Sequence, residues 1–128
     1  MENSMRKVVK THLPADNAPI EWATMGGEYL YTAHIPIRED GTFETGDITT
    51  QAKLTMDNLK RTVEAAGGTM DDVTQVQIFL PNQEDFKAMN EVYKTYFNTP
   101  YPNRATVVAG LMVPGLKIEI IAHAHIKG

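Results

Sequence analysis

From Leu116 to Ile126 every second residue is apolar: Leu116, Ile118, Ile120, Ala122, Ala124 and Ile126. Successive side chains of a strand point to opposite faces, so this run predicts a strand with one face sealed in a core. Lys117, Glu119, Ile121, His123 and His125 fall on the other face. That face is neither polar enough for plain solvent nor apolar enough for a core. Two helices can cover only one side of a small sheet, so contact between copies of the chain is the expected cover for the other.

The remaining elements follow from periodicity and punctuation. Met5 to Thr11 reads as a strand, and Glu21 to Thr24 with Glu28 to Ile35 as a hairpin turning at Gly26-Gly27. Arg38 to Thr42 is a polar loop with a turn glycine, Gly41. Asp47 is placed to cap a helix in which Ala52, Met56, Leu59, Val63 and Ala66 recur at helical steps, and Gly67-Gly68 ends it. Val73 to Leu80 is a strand that Pro81 stops, with Thr74 expected on the face of Val76 and Ile78. Asn82 is expected to cap a second helix whose stripe of Phe86, Met89, Val92, Tyr93, Tyr96 and Phe97 reads as core. Strands over Arg104 to Gly110 and Leu116 to Ile126 complete an α+β chain, and 128 residues without a linker or repeat fit a single domain over 1–128.

Composition narrows the function. Clustered Lys and Arg would be needed to hold phosphates, and a net charge of −4 with scattered basic residues argues against a nucleic-acid partner. No cysteine is present, which removes disulfides, thiol nucleophiles and cysteine metal sites and fits a reducing compartment. No run approaches the ~20 apolar residues of a membrane span, and the polar start Met1 to Lys7 has no apolar signal core. The expected location is the cytoplasm. Serine-nucleophile motifs, phosphate-cradling glycine loops and metal-binding HExxH patterns are absent. His123 and His125, two ligands without a third, do not make a metal site.

One pair carries chemistry. Arg104 opens one strand, and Glu119 lies inside the next. A guanidinium can grip a substrate carboxylate with two hydrogen bonds, and a carboxylate among apolar side chains can hold a water or a proton. The plainer alternative is a surface Arg and an outward Glu on a half-solvated strand.

Pro102-Asn103-Arg104-Ala105-Thr106-Val107, followed by Ile118-Glu119-Ile120, resembles the signature of the RidA-type (YjgF-like) reactive-intermediate deaminases. Asn58-Leu59, Ala65-Ala66-Gly67, Asp85-Phe86, Met89-Asn90-Glu91-Val92-Tyr93 and Tyr96-Phe97 extend the resemblance, which runs from about Ile20 to Ile126. It implies a chorismate-mutase-like fold, a mixed sheet on two helices, and a homotrimer whose sheets form a central barrel with sites between subunits. It implies hydrolysis of 2-enamino or 2-imino acids to 2-keto acids and ammonia, with no metal and no organic cofactor. Arg104 would anchor the substrate carboxylate, Glu119 would orient water, Thr32 matches the family Ser, and Asn90 matches the helix Asn. The resemblance also leaves two other functions open: a non-catalytic binder of small keto or amino acids, and a ribonuclease or translation inhibitor. The acidic charge disfavours the last.

The chain departs from the family pattern along the expected pocket. Ala18-Pro19-Ile20-Glu21-Trp22-Ala23 stands where many members have Gly-Pro-Tyr-Ser-Gln-Ala, so Ile20 replaces the pocket Tyr. Thr32-Ala33-His34 replaces Ser-Gly-Gln, and Thr106 stands where Cys is frequent. His34 is positioned to enter the pocket and relay a proton, and Trp22 is either core filler or pocket wall. These walls make a bulkier substrate plausible, although Ala66 to Met70 and the His-rich end resemble the branch assigned to aminoacrylate handling in pyrimidine breakdown.

Overall fold

The computed structural model describes residues 5–127. The polar start Met1 to Ser4 therefore lies outside the described residues. Among the described residues six strands form one mixed sheet in the order β1-β2-β3-β6-β4-β5. They are β1 (Lys7–Val8), β2 (Ala23–Gly26), β3 (Tyr29–His34), β4 (Val73–Leu80), β5 (Asn103–Val108) and β6 (Glu119–His125). Only β4 and β5 run parallel, joined by a crossover through α2 (Phe86–Tyr93); α1 (Ile48–Ala65) precedes β4. No helix among the described residues is long and apolar enough to cross a membrane.

The alternation read in the last strand holds. Leu116, Ile118, Ile120, Ala122, Ala124 and Ile126 are all buried, while Lys117 to His125 at odd positions are half-exposed. The buried face packs with Leu30, Val76 and Ile78 beneath Met56, Leu59, Val63, Met89 and Val92 of the helices. α1 begins where Asp47 Oδ1 accepts the Thr50 amide at 2.8 Å, and it ends before Gly67, whose φ of +95° only glycine adopts without strain.

Five details differ from the sequence reading. The hairpin turn falls on Gly27 and Glu28, with Gly27 at φ +59° and Gly26 still paired to Tyr29. A register shift between Val73 and Gln75 turns Thr74 out to solvent, where its hydroxyl donates to the His123 carbonyl at 3.1 Å, while Val73 takes the buried side. Asn82 makes no capping hydrogen bond, because Gln83–Asp85 form a 3-10 turn before α2 begins. The second helix ends at Tyr93, and a 3-10 turn over Lys94–Tyr96 follows it. The strand expected over Met5 to Thr11 shrinks to Lys7–Val8, and those of the last pair to Asn103–Val108 and Glu119–His125.

Candidate active site

Strand order decides where Arg104 and Glu119 lie. Arg104 pairs with Val76 of β4, and laterally paired residues point the same way, so its side chain leaves the sheet on the helix side. Glu119 pairs with Phe79 and belongs to the opposite face. The two residues are two strands apart, about 10 Å, and three residues apart along the strands, again about 10 Å, so their backbones are separated by about 14 Å. A single chain does not bring them together.

Arg104 stands against α2. Its guanidinium carbon is 4.6 Å from the Tyr93 ring centre and 5.7 Å from that of Phe86. Aromatic faces attract a cation and hold the flat guanidinium in place while leaving its donors free to point elsewhere. Arg104 takes part in no ion pair among the described residues. It opens onto a cleft of ≈310 Å³ shared with Asn90, Glu91, Tyr93, Lys94, Tyr101 and Pro102. Burial pushes the Tyr93 hydroxyl up to about 12, against the opposing pull of Arg104, so it stays protonated. Its oxygen is buried without a hydrogen-bond partner. The stripe of α2 is thus more than core: Tyr93 and Phe86 fix the cation. Thr106 shares the helix-side face, paired with Ile78, but it lines an adjoining cavity with Leu80, Gln83 and Phe86.

Glu119 occupies a different setting. It lines a cavity of ≈350 Å³ with Ile20, Trp22, Ala33, Ile35, Leu111 and Leu116. Half-burial among these groups raises its carboxyl above the ordinary glutamate value. Trp22 is the pocket wall that the sequence left undecided, held by Nε1 donating to the Pro14 carbonyl at 2.7 Å. Ile20 lines the same cavity.

Thr32 and His34 are in neither cavity. Both face the helix layer and are buried. The Thr32 hydroxyl donates to the Trp22 carbonyl at 2.8 Å, and with that proton committed, His34 Nε2 must donate to Thr32 Oγ1 at 2.7 Å. His34 is held down to about 3, chiefly by burial and secondarily by the influence of His12, so it is neutral at physiological pH. The expected catalytic hydroxyl and proton relay are instead supports for Trp22, whose ring lies parallel to His34 at 6.5 Å. β-Strand alternation places Ala33, not Thr32 or His34, on the cavity side.

Two buried amides, absent from the sequence-derived list of site residues, hold the cavity walls. Gln51 Nε2 donates to the carbonyls of Gly46 and Gly115, both at 3.0 Å, and its Oε1 accepts the Lys117 amide at 2.8 Å. Asn58, two helical turns on, donates to the carbonyls of Ile35 and Ile37 and accepts from His12 Nε2 at 2.9 Å. Gln and Asn interrupting the apolar stripe of α1 were the available signal. Among the described residues no group of three or more His, Asp or Glu side chains could hold a metal ion.

Comparison with known proteins matches this architecture. The family model described as endoribonuclease L-PSP matches residues 10–126. A RutC family protein of Pyrococcus horikoshii is 36% identical over 124 residues, 94% of this chain and 98% of the relative. The mitochondrial protein mmf2 of Schizosaccharomyces pombe is 39% identical over 105 residues, 80% of this chain and 83% of the relative. Among solved structures, Escherichia coli TdcF with bound serine superposes with a TM-score of 0.86 at 30% identity, covering 94% of this chain and 99% of that one. A Rid family protein, YyfA of Yersinia pestis, gives 0.89 at 28%, covering 95% and 100%. The chain therefore belongs to the endoribonuclease L-PSP family, the RidA/YjgF-like Rid proteins.

Proposed function

We propose that this protein hydrolyses reactive 2-imino and 2-enamino acids to 2-keto acids and ammonia, as a homotrimer whose sites are each built from two subunits. The carrying observation is the division of labour across the sheet: an arginine with no ion pair among the described residues on one face and a carboxylate of raised proton affinity on the other. Each is half a site. A neighbouring copy packed on the open face would bring the two halves to one substrate, which gives a reason for the exposed Tyr29 and Tyr31 there.

Arg104 takes the substrate carboxylate, beside the Asn90 side chain in its cleft. Glu119 holds a water against C2 and accepts its proton as the oxygen bonds to that carbon. The C=N double bond becomes a single bond, giving a carbinolamine. Return of that proton to nitrogen, with the hydroxyl proton passing to the freed Glu119 carboxylate, then expels ammonia and leaves the C2 carbonyl. An enamine enters by first taking a proton at C3. An iminium carbon is already electrophilic, so alignment supplies most of the acceleration. Residues of this chain carry every step, with no cofactor.

A second reading, a binder of small amino or keto acids, draws support from the serine held by the related TdcF structure. An RNA substrate is disfavoured by the net charge of −4, which provides no attraction for phosphates. The test generates imino acids in situ with an amino-acid oxidase and follows ammonia and keto-acid release. Acceleration that disappears in Arg104→Ala supports the deaminase. Binding of keto acids without acceleration of any imine overturns it in favour of the binder.

A further inference from the structure

A molecule whose C2 comes within reach of a Glu119-bound water has the Glu119 cavity open to its side chain. Most of that cavity's lining is apolar: Trp22, Ala33, Ile35, Leu111, Val113 and Leu116, with the exposed Ile20 and Met112. An alanine-sized side chain would leave most of this surface wet, whereas a branched or aromatic one would displace water from it. The polar lining other than backbone is entirely acidic: Asp16, Glu21 and Glu119, with no Lys or Arg. A second carboxylate on the substrate would meet like charge there and no cation, a repulsive element that discriminates as effectively as an attractive one.

We propose that the cavity beside Glu119 is the side-chain subsite of this protein, selecting 2-imino acids with large apolar side chains and rejecting those that carry a second carboxylate. The proposal takes its reaction from the deaminase reading, but the cavity's preference can be measured without turnover. The substrate would then come from a reaction that oxidises the amine of an apolar α-amino acid, not from one that dehydrates a small hydroxyamino acid.

Two readouts test it. Calorimetry on the intact protein would compare 4-methyl-2-oxopentanoate and phenylpyruvate with pyruvate and 2-oxoglutarate. The apolar acids should bind roughly 10-fold or more tightly than pyruvate, in line with the value of added methylenes in a hydrophobic pocket. 2-Oxoglutarate should bind more weakly than pyruvate, and Glu21→Gln should lessen that penalty. Ile20→Asp and Met112→Asp should narrow the apolar preference; their sites are 53% and 96% exposed, so the fold tolerates the charge. Hydrolysis of imines made in situ from leucine, phenylalanine, alanine and glutamate should follow the same order. Equal binding of all four keto acids, or preference for pyruvate or 2-oxoglutarate, overturns the subsite. If the binding order holds but no imine is hydrolysed, the subsite stands and the deaminase reading falls.

Discussion

Arg104→Ala and Glu119→Gln subunits should each be nearly inactive alone yet regain activity when mixed. Backbones about 14 Å apart, with side chains on opposite faces, cannot share one small substrate within a chain. A working site then needs Arg104 from one subunit and Glu119 from its neighbour. Each variant should lose on the order of 100-fold alone, one by losing the carboxylate clamp and the other by losing the base. In a random equimolar mixture, about one site in four pairs an intact Arg104 with an intact Glu119, so activity should return to about one quarter of wild type. The assay co-refolds the variants in equal amounts and follows keto-acid release by the unfractionated mixture. A second arm mixes wild type with the double variant. Sites split between subunits leave about one quarter active there, whereas sites within one chain leave about one half. Mixed assemblies no more active than their parents would refute the shared site.

Glu119 has its proton affinity raised by burial, so the acidic limb of the pH–rate profile should lie above the ordinary glutamate value of 4.5. The same shift means the folded state binds this proton more tightly than the unfolded state, so ionised Glu119 lowers stability as pH rises through its folded value. Glu119→Gln should therefore be at least as stable as wild type at neutral pH by thermal melting, despite its lost activity. His34 is shifted the other way, to about 3 from 6.5, so its contribution to stability is intact above 6.5 and declines as pH falls below it. Urea titrations should show an extra slope of up to about 1.4 kcal/mol per pH unit in that window, absent in His34→Gln. Asn58→Leu should cost about 1–3 kcal/mol in the same titration, because the Ile35 and Ile37 carbonyls and His12 lose their buried partner.

Elements set by local pattern were legible in the sequence. The strand read over Val73 to Leu80 has those bounds, the Asp47 cap forms as expected, and the alternation ending at Ile126 gives the buried face. What escaped depends on neighbours. The outward turn of Thr74 comes from a register shift against β6, which Thr74 itself does not encode. The reach of Arg104 and Glu119 could not be read because β5 pairs in parallel with β4, two places from β6, although β5 and β6 are consecutive in the chain. Motif position places Thr32 and His34 at the site, but alternation against Ala33 sends both into the core.

That misassigned pair shows how the fold holds its site. A strap from Val9 to Trp22 crosses the sheet edge and carries Ile20 and Trp22 to the Glu119 cavity. It contains no strand, lying between β1 and β2. Buried polar contacts fix it instead: His12 to Asn58, and Thr32, itself held by His34, to the Trp22 carbonyl. On the other side, Gln51 fixes Gly115 and Lys117, the end of the loop that supplies Leu111 and Leu116. Each amide on α1 thus anchors one wall of a cavity that α1 itself does not line. Apolar packing alone would specify the core without specifying where two irregular segments stop, whereas satisfied buried hydrogen bonds specify both position and direction. Thr32 and His34 act through Trp22, and substitution of either should alter side-chain preference at the cavity before it alters the chemistry at Glu119.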